Sequence, residues 1–395
     1  MDIQAEEHMQ TDATTEVGLN GSENGKENVE LAPVNPDRFR ATNLYDRQIR
    51  LWGWEAQQRL MRSRLLMYGM NGVGAEVLKN LMLGGIKEIT IVDDALVQEA
   101  DLSTNFFVRR EDFGQNRATA SKGRAQLLSA ACALTAVQGN VNILTEEWVR
   151  GYDLVVINGV SLTEAVRIGK VCRELRVPLF VSQVVGFHAF YVNDLNGLTF
   201  EVPPLGGEKP AGSGPKPKPK IIIDDDEDMP STSRGRPTEA QVVCTDQAEE
   251  SAPQSAQLEI TVPDLASILT EDCARRSGLA SPMPKRGGLK RIDPYLNMEL
   301  ILTFAAQKGR YPQYQYMEED LKVLDHILGM IRPEGDTRVV EPNEFLRPDA
   351  NFTCAIFGGT MAQEIITVLT RRGYPIFNLF YLAALDAMGS REYLQ

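Results

Sequence analysis

The sequence predicts an α/β protein built on a doubly wound, mostly parallel sheet, with a large polar insertion. Three observations carry this expectation. Short apolar runs alternate with segments of helical period between residues 64 and 185. A glycine-rich turn, Gly69-Met70-Asn71-Gly72-Val73-Gly74, links the first of these runs to a helix. An acid, Asp93, ends the second run nineteen residues beyond Gly74.

Taken in order, the first 37 residues show no apolar period and carry nine acids against one base, as a disordered tail does. A helix is expected from Asn43 through Ile49, Leu51 and Trp52 into Glu55–Met61, with Gly53 interrupting it. The alternation then predicts strands at Arg64–Tyr68, Glu88–Val92, Asn142–Leu144, Asp153–Asn158 and Pro178–Val185. Helices are expected between them at Gly74–Leu83, Arg117–Ala131 and Leu162–Leu175. Ala189–Asn193 and Leu198–Val202 read as an antiparallel pair. From 204 to about 256, Gly, Pro, Ser and Lys dominate, with ten acids against six bases, the composition of a linker. Helical period returns at Tyr295–Ala306, Met317–Met330 and Cys354–Arg371, and a strand near Leu379–Ala384 is expected to rejoin the sheet. The expected organisation is a tail over 1–42, one domain in two parts over 43–203 and 291–395, and an insertion over 204–290.

The chain has 395 residues, 41 Lys+Arg and 54 Asp+Glu, for a net charge of −13. Most of that charge lies in the tail and the insertion. The rest is nearly neutral and offers no basic face of the kind nucleic acid requires. Five cysteines (Cys132, Cys172, Cys244, Cys273, Cys354) form no C-x-x-C pair, which excludes a zinc ribbon and suits a reducing compartment. No uninterrupted apolar run approaches the ~18 residues of a membrane span. The histidines (His8, His188, His326) are scattered, and no nucleophile–base pair can be read from them.

A glycine turn between strand and helix sets backbone N–H groups and a helix N-terminus against a phosphate, and Asp93 stands where a ribose hydroxyl would be met. The plainer reading of Gly69, Gly72 and Gly74 is a tight turn that packs helix on sheet. Asn71 puts a side chain where a phosphate cradle favours glycine. A dinucleotide-dependent oxidoreductase is one reading, but it does not account for the helix ahead of the first strand.

Three stretches narrow the choice: Tyr45-Asp46-Arg47-Gln48-Ile49-Arg50-Leu51-Trp52-Gly53, then Lys79-Asn80-Leu81-Met82-Leu83-Gly84-Gly85-Ile86 after the glycine turn, and Gly358-Gly359-Thr360-Met361-Ala362-Gln363-Glu364-Ile365 near the C-terminus. Together they resemble the adenylation domain of the ubiquitin-like-protein activating enzymes, a Rossmann-like, ThiF/MoeB-like fold. Within that family the chain looks most like the smaller, regulatory subunits of the SUMO branch, over roughly residues 43–203 and 290–390. A non-catalytic subunit of the NEDD8 type, or a pure scaffold, is the alternative.

The resemblance implies a heterodimer that spends ATP to activate SUMO and hand it to a conjugating enzyme. The modifier's C-terminal carboxylate attacks the α-phosphorus, pyrophosphate leaves, and a cysteine captures the acyl group. In this chain the catalytic pattern has decayed. Ala95 stands at an Asp position. Ala100-Asp101-Leu102-Ser103-Thr104-Asn105 replaces a Ser-Asn-Leu-Asn-Arg-Gln stretch, and Arg117 replaces a Lys. Gly159, Val160 and Ser161 stand where the active form carries a magnesium-binding Asp. ATP and magnesium are therefore expected on the partner, with Gly69, Gly72, Gly74 and Asp93 a degenerate pocket. By the same resemblance Arg47 reaches in trans to the partner's ATP, while Arg50 braces the helix.

None of the cysteines is expected to form the thioester: Cys244-Thr245 sits in a polar stretch, and Cys132, Cys172 and Cys354 fall on apolar helix faces. Ile221-Ile222-Ile223 followed by Asp224, Asp225 and Asp226 has the pattern of a SUMO-interacting motif, in which a strand adds to the modifier's sheet edge. It also reads as a charged linker with an apolar cluster. The expected partners are the catalytic subunit, SUMO and indirectly the conjugating enzyme, with no nucleic acid and no membrane. The nucleus is the expected location.

Overall fold

A computed structural model describes residues 44–195, 197–202, 256–269, 294–332, 340–376, 378–385 and 388–392. The chain enters through α1 (Asp46–Trp52) and α2 (Trp54–Leu60), split at Gly53, whose φ of +88° no β-carbon residue adopts without strain. Then follow β1 (Arg64–Tyr68), α3 (Gly72–Gly84), β2 (Glu88–Asp93), the single turn α4 (Asp101–Thr104), α5 (Arg117–Gln126), β3 (Ala133–Gln138), the short α6 (Glu146–Val149), β4 (Leu154–Asn158), α7 (Leu162–Leu175) and β5 (Leu179–Val185). After these come β6 (His188–Asp194), β7 (Thr199–Val202), β8 (Ala256–Glu259), α8 (Leu265–Ile268), α9 (Pro294–Lys308), α10 (Met317–Ile331), α11 (Pro342–Phe345), α12 (Asn351–Thr370), β9 (Leu379–Ala383) and β10 (Met388–Glu392).

Eight strands form one sheet in the order β10-β9-β6-β5-β4-β1-β2-β3. The pairs β3–β2, β2–β1, β1–β4 and β4–β5 are parallel, and β6, β9 and β10 extend the sheet antiparallel. The doubly wound expectation holds, and Leu379–Ala383 rejoins the sheet beside β6 as the sequence predicts. Alternation along each strand makes two cores. Leu65 and Met67 of β1 and Leu154 and Val156 of β4 face α3 and α12. Leu66, Tyr68, Val155 and Ile157 face α7, α9 and α10. Strands covered on both faces must be apolar at every position, which is why they read as continuous runs.

Four expectations are corrected. Val141–Ile143 is a 3₁₀ turn; the strand beside β2 is Ala133–Gln138, whose residues are only partly buried at the sheet edge, so its apolar signal is weak. The helix from Arg117 stops at Gln126, which places Cys132 in the loop before β3. Residues 189–193 and 198–202 do not pair with each other: β6 lies between β5 and β9, and β7 pairs with β8. Residues 256–269, inside the stretch read as an insertion, bury Ile260, Val262, Leu265 and Ile268 in the cores.

Among the described residues one helix, Asn351–Thr370, is long and apolar enough by length and composition to cross a membrane, with mean hydropathy 1.4. Short polar interruptions hid this from a search for unbroken runs. The helix packs along α3, burying Phe357, Met361, Ile365 and Leu369.

Candidate functional site

The strand order reverses between β1 and β4, so a crevice is expected beyond their carboxyl ends, where Gly69 follows β1 and Gly159 follows β4. Gly69 has φ +88°, and a β-carbon there would lie 2.3 Å from the Asn158 carbonyl oxygen. The Asn158 amide closes the same junction, donating to the Gly69 carbonyl at 3.0 Å and accepting from the Ser182 hydroxyl at 2.6 Å. This is the close approach of neighbouring strand ends that the glycine motif permits.

Part of that turn is engaged by the chain itself. The Asn71 side chain caps α3, its Oδ1 accepting from the Gly74 N–H at 3.0 Å. One of the helix's free N–H groups therefore has an internal partner. Over Gly72, a β-carbon would stand 2.7 Å from Thr104 Cβ and 2.8 Å from Cys354 Sγ.

Asp93 is 1% exposed and fully engaged. Its Oδ2 accepts from the Met70 N–H at 2.6 Å and from Arg117 Nε at 2.9 Å, and its Oδ1 accepts from the Ala95 N–H at 2.8 Å. Arg117 also donates to Asp101 Oδ1 at 3.0 Å. Burial alone would lower the arginine's pKa, but the Asp93 and Asp101 carboxylates outweigh it and hold the pKa above the ordinary value. Asn116 fixes the backbone around this pair, donating to the Asp93 carbonyl at 2.8 Å. Asn105, wholly buried, donates to the Met70 carbonyl at 2.9 Å. A dinucleotide needs the Asp93 carboxylate free for its ribose, so this geometry disfavours the oxidoreductase reading.

Ser161, where the active pattern carries its magnesium acid, caps α7 through the Glu164 N–H at 3.3 Å. Among the described residues no group of three His, Cys, Asp or Glu side chains is placed to hold a metal ion.

Of the cysteines, Cys132, Cys172 and Cys354 are buried and unbridged. Burial pushes their thiols up, Cys132 to about 11 and Cys172 and Cys354 to about 12, so none is a thiolate near neutral pH. Cys244, Cys273 and the Ile221, Ile222, Ile223, Asp224, Asp225, Asp226 motif lie outside the described residues.

Arg47 lies on α1, is exposed, and makes no ion pair among the described residues. Arg50 does brace the helix, its Nε 2.9 Å from Asp46 Oδ2. The helix α1 buries none of its residues, and Leu51 is 76% exposed. Trp52 packs against the chain's own core and donates to Gln57 Oε1 at 3.0 Å.

A residue-level comparison identifies the architecture. The ThiF family matches residues 45–392, from the start of α1 to the end of β10. The chain belongs to the ThiF family. Within that family it is similar to the SUMO-activating enzyme subunit 1 of Rattus norvegicus, 30% identical over 355 residues that cover 89% of this chain and 93% of the relative. The corresponding proteins of Danio rerio and Xenopus laevis are 30% and 29% identical, each over 88% of this chain and 93% and 95% of theirs. The resemblance carried by the three motifs is borne out.

Sequence reasoning missed two features of this ThiF-family chain. The covering of Gly72 by Thr104 and Cys354 joins segments about 250 residues apart, and no local pattern announces it. The second is a buried chain in which the Tyr381 hydroxyl lies 2.8 Å from His188 Nδ1 and His188 Nε2 lies 2.9 Å from Glu344 Oε2. It ties β9, β6 and α11 together.

Proposed function

We propose that this chain is the smaller, regulatory subunit of a heterodimeric SUMO-activating enzyme and holds no productive nucleotide of its own. Likeness to relatives of that name along nearly the whole of both chains supports the reading. So does the engagement of the Asp93 carboxylate and of the Met70 and Gly74 N–H groups at its own glycine turn. The observation that carries the trans role is α1: a seven-residue helix with nothing buried, a free Arg47 and an uncovered Leu51. A helix this short is not stable by itself, and its apolar face is completed by a partner.

On this reading ATP and magnesium sit on the catalytic subunit, where the SUMO carboxylate attacks the α-phosphorus. Arg47 supplies a guanidinium as negative charge gathers on the departing pyrophosphate, a charge-assisted contact that strengthens towards the transition state. The thioester cysteine also belongs to the partner, which passes SUMO to the conjugating enzyme. The nucleus is the proposed site of action.

The test is reconstitution. The chain alone, with ATP, magnesium and SUMO, is expected to give no pyrophosphate exchange and no thioester. Adding the catalytic subunit restores both. Exchange by the isolated chain at a rate comparable to the dimer would overturn the reading.

A further inference from the structure

A second site lies at the other end of the sheet, beside the amino ends of β1, β4 and β5. There a cleft of about 610 Å³ is lined by Arg59, Arg62, Arg150, Arg176 and Arg371, with Asp153 the one lining acid. The volume suits a small ligand. Arg59 and Arg150 are partly neutralised, by Glu55 and Glu201 and by Glu146 respectively. Arg62, Arg176 and Arg371 form no ion pair among the described residues. Burial, then the nearby Arg59 charge, pushes the Arg371 pKa down, with Asp153 pulling the other way. Its guanidinium lies 5.7 Å from the centre of the Phe200 ring.

The backbone gives an independent signal. Among the described residues only two that are not glycine have positive φ, Arg176 at +56° and Arg371 at +58°. Both cap the carboxyl ends of helices, α7 and α12, where glycine is the strain-free choice, and both line this cleft. Compensation of the helix dipole accounts for a cation near each end, but a cation in the helix's last turn would do that without left-handed strain. Strain kept at two positions that converge on one cavity points to a use for the side chains.

We propose that this cleft binds a compact oligophosphate, two or three linked phosphate groups held by Arg62, Arg176 and Arg371. Planar guanidinium forks match phosphate oxygens two at a time, and three of them lining one cleft favour a chain of phosphates over a single one. The site is distinct from the glycine turn and does not depend on the proposed subunit role.

The experiment is calorimetric titration of the full chain with tripolyphosphate, pyrophosphate, orthophosphate and ATP at fixed ionic strength. It is run beside the double variant Arg176→Gly/Arg371→Gly. Glycine relieves the left-handed strain at both caps, so the variant is expected to melt no lower than the unmutated chain while losing the ligand's partners. Arg62→Gln, at an exposed position, is a second variant that leaves both caps intact. Expected is one tripolyphosphate per chain, bound at least tenfold more tightly than orthophosphate, with affinity falling at least tenfold in each variant. ATP that competes and weakens in parallel identifies a nucleotide's phosphate tail as the source, and ATP that does not compete identifies free oligophosphate. No saturable binding by the unmutated chain, or equal affinity in the folded variants, overturns the site.

Discussion

Arg117 Nε lies 2.9 Å from Asp93 Oδ2, so the chain neutralises from within the carboxylate that a nucleotide's ribose would meet. The same guanidinium reaches Asp101 at 3.0 Å, leaving two acids and one cation as a closed, hydrogen-bonded group under the glycine turn. Together they brace the turn.

The brace makes the first prediction. Arg117→Ala leaves two buried carboxylates without their cation, and breaking such a pair is costly because a bare charge stays behind. The Met70 and Ala95 N–H groups still hold Asp93, so the expected loss is about 2–4 kcal/mol. Urea denaturation of the variant and the unmutated chain checks it. Unchanged stability would show that the acids had been carried by the backbone alone.

Arg47→Ala is expected to leave the heterodimer intact on size-exclusion chromatography and to slow pyrophosphate exchange. Removing a contact that strengthens in the transition state costs about 2–4 kcal/mol, or roughly 30- to 1,000-fold in rate. Lysine is expected to rescue in part, lacking the planar fork. An intact Arg47→Ala dimer working at full rate would leave α1 a purely structural element.

Thioester formation by the reconstituted dimer is expected to survive serine substitution at each of the five cysteines singly. Cys354→Ser costs stability, because a buried hydroxyl lacks a partner beside Gly72, but the chemistry persists. A folded Cys244→Ser dimer without thioester would mark that cysteine as the acceptor.

Glu364, on α12, is buried and accepts from the Ile376 N–H. Burial pushes its pKa from 4.5 to about 8, against the opposing pulls of the Ile376 N–H and Arg391. The folded chain thus keeps a proton that the unfolded chain has already lost. Stability falls as pH rises from about 4.5 to about 8 and levels off above, since folding takes up a proton throughout that window. Glu364→Gln is expected to remove this slope and to stabilise at pH 8 by roughly 2–4 kcal/mol. Denaturation midpoints at pH 5, 6.5 and 8 for both chains read it, and parallel curves would sink the assignment.

Much of the parallel core was legible because strands covered on both faces must be apolar throughout. Arg64–Tyr68 and Leu162–Leu175 fall where their patterns put them. The edge strand Ala133–Gln138 was not, since one face meets solvent and its alternation is shallow. The residues that depart from the nucleotide-binding pattern, Asn71, Ala95, Arg117 and the stretch 159–161, were legible one by one, because residue identity shows in one dimension. The cleft of arginines was not legible: Arg59, Arg62, Arg150, Arg176 and Arg371 come from separate loops and helix ends, and each alone reads as an ordinary surface cation.

The sequence by itself determined most of the strand and helix alternation, the place of the glycine turn and which residues stand at the positions of the family's active pattern. Each of these rests on local pattern, such as period, turn chemistry or the presence of a charge. Only the tertiary structure decided how the glycine turn is engaged. Thr104 and Cys354 meet over Gly72, and Arg117 closes on Asp93 and Asp101, because α4, α5 and α12 all pack around the amino end of α3. Contacts of that kind depend on distance in space, which the spacing of residues along the chain does not encode.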